Sequence, residues 1–417
     1  MSPAPARPSG DRDAIERAFR AAHGRLLAAL TRRFGVDHLA LVESALQEAG
    51  LRALERSPPG LAGPDLERWI LRVAHNAAID AVRRERLEVP LAEQHLADSV
   101  ELPVPEVDDE LRLVFLCCHP ALTRAAQVAL TLRVAYGFST GQIARAFLSD
   151  ERTISQRIVR AKQRLRDEHT RFELPEPDEI PSRLRAILDV LYQAFTEGYS
   201  TTDSEAGIDE QLCGESLRLV RLLTDDPRWI FAPGEALRAL FCFHAARLPA
   251  RCAADGSLVL LHEQDRSRWD RDLLAEGFVL LERSARGEEI SRFHVEAGIA
   301  ACHAKAASYA TTDWGQIVSL YDVLRDLSPS PVVDVNRALA VGMLRGALAG
   351  LDELDAIPER ELVGRYPYAL ATYAELHASL GHRDEARAFL DRALDQQSSP
   401  AERALLLRKR AGLRHGS

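Results

Sequence analysis

The sequence predicts an all-α protein, and three observations carry that prediction. Apolar residues recur at three- and four-residue spacing through nearly every segment, the period of a helix with one buried face. Alanine, leucine, arginine and glutamate, which are strong helix formers, fill those segments. Glycine is confined mostly to short turns, and the single stretch with a strand-like alternation is 257–261.

The chain's 417 residues exceed one ordinary core and predict two or three domains, and a hydrophobic fraction of 46% is ample for globular folding. Composition shifts divide the chain. Residues 1–10 read as a disordered start. A first helical block, 11–86, is followed by a Pro- and acid-rich linker, 87–107. A second block, 108–170, leads through the Pro-rich joint 171–180 into a long helical segment, 181–417. No run of about 18 apolar residues occurs and the start, MSPAPARPSGDRD, has no apolar signal core, so a cytoplasmic protein with no membrane partner is expected.

Several function classes are excluded early. The six cysteines show no CxxC pair and no regular spacing, which argues against a zinc site and a disulfide framework. Adjacent Cys117 and Cys118 would face different directions on a helix, so they read as packing rather than as a metal pair with His119. No nucleophile–base pair, phosphate loop or metal-ligand spacing is present, so no catalytic residue, metal or cofactor is expected. A zinc-protease reading of His262 and Glu263 fails because Arg266 stands where the second histidine would be needed.

The net charge of −9 is unevenly spread. Acidic residues collect between Glu93 and Glu110. From Arg124 to Arg166 nine basic side chains face only Asp150 and Glu151, an asymmetry that marks a local DNA-binding unit inside an acidic protein. Within it, 140–147 predicts a short helix with Ile143, Ala144 and Phe147 inward, and 148–150 a turn. A second helix is predicted over 151–166, capped by Ser149 or Asp150, and the whole is a helix-turn-helix. Ile154, Ile158, Ala161 and Leu165 make its apolar stripe. Thr153, Ser155, Gln156, Arg157, Arg160 and Lys162 are left outward, a mixture suited to base edges near the helix start and phosphates farther along. The plainer reading is a solvated arginine-rich face.

The first block adds a second constellation. LVESALQEAGLRAL places Glu43, Gln47 and Glu48 together on a helix whose other side is apolar, and WILRVAHNAAIDAVRRERL ends a helix in the basic cluster Arg83 and Arg84. These stretches resemble regions 2.2 and 2.4 of the sigma-70 family. The first matches at Glu43, Leu46, Gln47, Glu48 and Ala49, with Ser44 where an Asp is common. The second matches at Trp69, Ile70, Arg72, Ala74, Asn76, Ile79, Asp80, Arg83 and Arg84. With the helix-turn-helix as region 4 and no domain between, the layout resembles the extracytoplasmic-function group. DDELRLVFLCCHPAL and AFLSDERTISQRIVRAK resemble the subgroup with a TPR-like C-terminal extension.

The resemblance implies a sigma factor that docks on core RNA polymerase, at the β′ clamp and β flap, and binds promoter DNA. Glu43, Gln47 and Glu48 would meet the clamp. Asn76 would lie by the loop that captures a flipped base of the −10 element, with Asp80 in the same motif and Arg83 and Arg84 on backbone phosphates. Thr153, Ser155, Gln156, Arg157, Arg160 and Lys162 would read the −35 element. The linker's negative charge would mimic nucleic acid near the RNA exit path. Trp69, at helical spacing among Ile70 and Val73, reads as core.

In the extension, 336–357 and 373–394 each place a turn glycine, Gly346 or Gly381, between two amphipathic helices, at an offset close to the ~34-residue TPR period. Its most polar cluster holds His262, Asp265, Arg266, Trp269 and Asp270. Three readings stay open for it: a salt-bridge network, packing by the Trp at an interface, or a ligand contact. The extension is expected to control the sigma domains, in cis or through a bound regulatory protein or peptide. The competing reading of the whole is a helix-turn-helix regulator with a ligand- or peptide-sensing helical domain and no polymerase docking.

Overall fold

A computed structural model of the chain describes residues 9–58, 60–87, 102–147, 149–200, 208–229, 231–253, 255–287, 289–358, 363–364, 366–396 and 399–413. Among them lie nineteen α-helices and no strand. The alternating stretch at 257–261 contributes only one end of an isolated antiparallel bridge, Cys252 to Leu258, closed by a turn in which Gly256 has φ of +82°. Most of the expected linker, 88–101, and the start, 1–8, lie outside the described residues.

The chain forms two compact units, 1–190 and 191–417. In the first, α1 (Ser9–Phe34), α2 (Leu39–Arg56) and α3 (Gly63–Leu87) pack together, and α1 also packs on α4 (Val107–Cys117). α5 (Arg124–Val134), α6 (Thr140–Ala146) and α7 (Glu151–Asp167) follow. The expected blocks 11–86 and 108–170 therefore share one compact body instead of standing apart. The reason lies in α1. From Ala22 to Thr31 every side chain except Arg25 is buried, and a helix apolar on all sides must be covered on all sides. Two glycines permit the close approach. A Cβ on Gly24 would stand 2.7 Å from the Ala135 carbonyl oxygen, and one on Gly137 would stand 2.7 Å from the His23 ring.

The start of α8 (Ile180–Tyr199) completes this unit. Arg183 donates to the Phe115 carbonyl at 2.7 Å, and Arg124 reaches the Ala186 carbonyl at 2.6 Å.

In the second unit α10 (Ala232–Ala245) is the central helix, packed by α9 (Glu210–Thr224), α12 (Arg271–Ser284) and α13 (Arg292–Lys305), with α11 (Leu248–Arg251) a single turn. Phe241 stacks on Phe195 at 4.1 Å, and Gly277 of α12 lets Phe243 lie flush against the helix backbone. α14 (Trp314–Leu327) leads to two helical hairpins. α15 (Pro331–Arg345) turns into α16 (Ala347–Asp355) at Gly346, φ +99°. α17 (Pro367–Ser379) turns into α18 (Arg383–Gln396) at Gly381, φ +79°. Both turns use the left-handed region that glycine enters without a Cβ penalty, as the spacing predicts. α19 (Pro400–Gly412) closes the chain's described part. No helix among the described residues is long and apolar enough to cross a membrane.

Candidate nucleic-acid interface

α6 and α7 form the helix-turn-helix. Ser139 and Gln142 close a reciprocal capping box at the start of α6, with Gln142 N–H donating to Ser139 Oγ at 3.1 Å and Ser139 N–H to Gln142 Oε1 at 2.9 Å. Of the two candidate caps for α7, Asp150 is the one used. Its carboxylate accepts from the Thr153 backbone at 2.7 Å and the Thr153 hydroxyl at 2.6 Å. Those two bonds hold its carboxyl below the ordinary range. Asp150→Ala is expected to lower the midpoint of chemical denaturation, since it frees the first N–H groups of α7.

Ile154, Ile158, Ala161 and Leu165 are buried on the inner side of α7, as are Ile143 and Ala144 of α6, while Phe147 is half-buried. Thr153, Ser155, Gln156 and Arg160 are exposed and Arg157 is half-buried. The same face also exposes Arg152 and Val159, neither anticipated from the sequence pattern. Arg152, Arg157 and Arg160 make no ion pair among the described residues, so their charge is available to an external polyanion.

Lys162 departs from this face. It points inward and binds Glu43 of α2, which also receives the guanidinium of Arg133 from α5. Lys162 follows Ile158 by four residues and Ala161 by one, so it sits on the edge of the buried stripe rather than opposite it. Glu43 is only 4% exposed. Burial alone would raise its pKa, but Lys162 and Arg133 together hold it below the ordinary carboxylate value. Gln47 donates to Glu43 Oε1 at 3.2 Å. Glu43, Gln47 and Glu48 are thus buried, half-buried and exposed in turn, and do not make one open acidic face. Val42 and Leu46, buried beside Glu43, carry it inward.

Residues of both first-block motifs meet in a groove of about 590 Å³ between α2 and α3. Glu48 lines it from α2, and Asn76, Asp80 and Arg84 line it from α3. Asn76, Asp80, Arg83 and Arg84 are all exposed. Arg84 Nε donates to the Asp80 carbonyl at 3.2 Å, and Glu48 pairs with exposed Arg52 at 2.5 Å. The groove therefore offers an amide, carboxylates and guanidinium groups side by side, able to hydrogen-bond a base edge and its phosphate together. Trp69 is half-buried on α3.

The side chains of the polar cluster in the second unit serve different local roles. Asp265 caps a 3₁₀ turn, accepting from the Ser267 backbone at 2.9 Å. Asp270 caps α12, accepting from the Asp272 and Leu273 backbones at 3.0 Å each. His262 is exposed beside the Tyr309 ring. Neither Asp joins a salt-bridge network, and the ion pair here is Glu263 with Arg408 at 3.0 Å. Trp269 is 3% exposed, with Arg266 and Arg247 against its ring.

Residues 112–165 match the family Sigma-70, region 4, and residues 183–285 match a family of unknown function, DUF6596. The chain is 37% identical over 404 residues to the uncharacterized protein R00370 of Rhizobium meliloti (strain 1021), an alignment that covers 94% of each chain. No solved structure matches it.

Proposed function

We propose, from the match of residues 112–165 to Sigma-70, region 4, that the chain is a sigma-70 family sigma factor of the extracytoplasmic-function type, working in the cytoplasm and making no bonds itself. It binds core RNA polymerase at the β′ clamp and β flap and directs initiation at promoters with −10 and −35 elements. The observation that carries this reading is the outer face of α7, a capped recognition helix whose Arg157 and Arg160 have no acidic partner among the described residues. Thr153, Ser155, Gln156, Arg157 and Arg160 contact the −35 element, and exposed Val159 suits a thymine methyl. Asn76, Asp80, Arg83 and Arg84 hold the opened −10 strand, and Gln47 and Glu48 meet the clamp. The burial of Glu43 against Lys162 and Arg133 supports a closed state, one that must part before Glu43 or Lys162 serves polymerase or DNA. The helical hairpins of the second unit act as a TPR-like module that sets this balance, alone or with a regulatory protein or peptide.

The test is in vitro transcription with purified core polymerase on a genomic fragment library, comparing the full chain with Glu48→Arg. Specific initiation by the parent that the variant loses is the expected result. Arg157→Ala with Arg160→Ala is expected to weaken promoter binding and flatten its salt dependence by about 2 in slope, one per lost phosphate contact, read by titration at several salt concentrations. The burial of Glu43 also favours a second reading, a helix-turn-helix regulator without polymerase docking. Sequence-selective DNA binding with no initiation, by the full chain and by a Glu43→Ala variant alike, would establish that reading instead.

A further inference from the structure

The second unit gathers positive charge and unpaired donors around one buried indole. Trp269 is almost wholly buried, yet its Nε1–H has no acceptor. Arg266 lies over the ring at 4.5 Å and Arg247 at 5.7 Å. Arg266 spends Nη1 on two carbonyls, His303 at 2.5 Å and Ala306 at 2.8 Å, and leaves Nη2 buried and unpaired. Nδ1 of His303 and of His244 are buried without partners too, as is the hydroxyl of Tyr199, whose ring lies 4.8 Å from His244 and carries Arg251 at 3.7 Å.

Arg247 and Arg266 have no counter-charge among the described residues. Arg247 bonds only to neutral Gln264, at 3.3 Å, and the charged groups that influence Arg247 and Arg266 include no carboxylate. Burial, with Arg247 close by, holds His244 near pKa 3 and His303 near 4, so both rings are neutral at pH 7 and each can donate one N–H. Glu402 feels Arg251 but is already bound by Ser200 and Tyr368. Water can satisfy an orphaned N–H; it cannot balance converging guanidinium charges. Two half-buried guanidinium groups that face each other with no carboxylate between them attract an anion, and a bound oxyanion answers both the charge and the orphaned N–H groups together.

We propose that the second unit binds a small oxyanion, a carboxylate or a phosphate, between Arg247, Arg266, His244, His303 and the indole N–H of Trp269. His244, Arg247 and His303 each keep partial exposure, which leaves a way in from solvent. Trp314, edge-on to His303 at 5.4 Å, adds an apolar wall for the ligand's carbon part. This site stands apart from the sigma reading and does not depend on it; where both hold, the ligand is a signal the extension senses.

The experiment follows thermal melting and titration calorimetry of the full chain with inorganic phosphate and with succinate, against sodium chloride at equal ionic strength. A saturable rise in Tm with at least one probe, absent with chloride, is expected. Phosphate alone identifies a phosphate ligand and succinate alone a carboxylate ligand. Arg266→Met and Arg247→Met should weaken binding about tenfold or more. Without ligand, Arg247→Met should melt no lower than the parent, because it removes a half-buried charge with no carboxylate partner among the described residues, whereas a merely structural arginine would lower Tm. Should either variant fail to fold, Trp269→Phe, which deletes only the indole donor and keeps a ring, must still weaken binding. No rise beyond chloride with either probe, or a rise that survives Trp269→Phe and the folded arginine variant unchanged, overturns the proposal.

Discussion

Glu43→Ala is expected to lower the unfolding free energy of the first unit by about 3–5 kcal/mol, because removing one member of a buried ion cluster strands the others. The side chains of Arg133 and Lys162 are only 16% and 14% exposed, so neither regains full hydration without moving its helix. Arg133 retains the Phe138 carbonyl, at 3.0 Å, but Lys162 has no other bond among the described residues. The control is the triple variant Glu43→Met, Arg133→Leu, Lys162→Met. If the loss comes from stranded charge, the triple variant should lie within about 1 kcal/mol of the parent or above it. Chemical denaturation with a fixed m-value reads both. A loss under about 1 kcal/mol for Glu43→Ala would mean that α7 swings away and the cations rehydrate, so the cluster is a weak latch. The same variant separates two roles for Glu43 in transcription. Initiation at parental level by a less stable protein would remove Glu43 from the polymerase contact and leave Gln47 and Glu48.

What the sequence makes legible here follows from the range over which each interaction acts. The helix-turn-helix is local. Its caps lie within three residues of their partners, its stripe repeats with the helical turn, and both are read directly from 139–165. The motif on α3 is local in the same sense, since Asn76, Asp80 and Arg84 fall one helical turn apart. Glu43 and Lys162 are a different matter. Each looks solvent-facing on its own helix, and only the packing of α1 against both halves of the unit brings them together, 119 positions apart. A hint existed in the all-round apolar stretch of α1 and in Gly24, which has no reason to sit in a helix interior unless another backbone comes close. The polar cluster at 262–270 misleads for the opposite reason. Two of its acids are spent locally on caps, and the partners that give Arg266 and Trp269 their surroundings, His244 of α10, Arg247 in the turn after it and His303 of α13, lie far off in sequence with no motif to announce them.

The first unit is also expected to lose about 3 kcal/mol of stability between pH 6.5 and pH 4 through one residue, His23. This histidine is 1% exposed and neither ring nitrogen has a partner. It is closed in by Gly137 and by the Phe19 ring, which meets it edge-on at 5.7 Å. Burial pushes its pKa down to about 4; Glu43 opposes that and Arg133 reinforces it. The sign follows from proton counts. In the unfolded chain the ring takes up a proton near pH 6.5, whereas the folded ring stays neutral to about pH 4. Stability is therefore complete above the unfolded pKa, falls across that window at about 1.4 kcal/mol per pH unit, and levels off below it. Glu43, whose pKa is lowered in the fold, adds a loss of the same sign at still lower pH, as protonation releases Lys162 and Arg133. His75, His244 and His303 are depressed as well, so the whole-chain curve alone does not isolate His23. The difference between parent and His23→Leu does. The parent should lose about 3 kcal/mol relative to the variant as pH falls from 6.5 to 4, with a slope difference near one proton. Parallel curves across that window would show that the folded state protonates His23 as readily as the unfolded one. The junction between α1 and the turn after α5 would then be open to water rather than sealed.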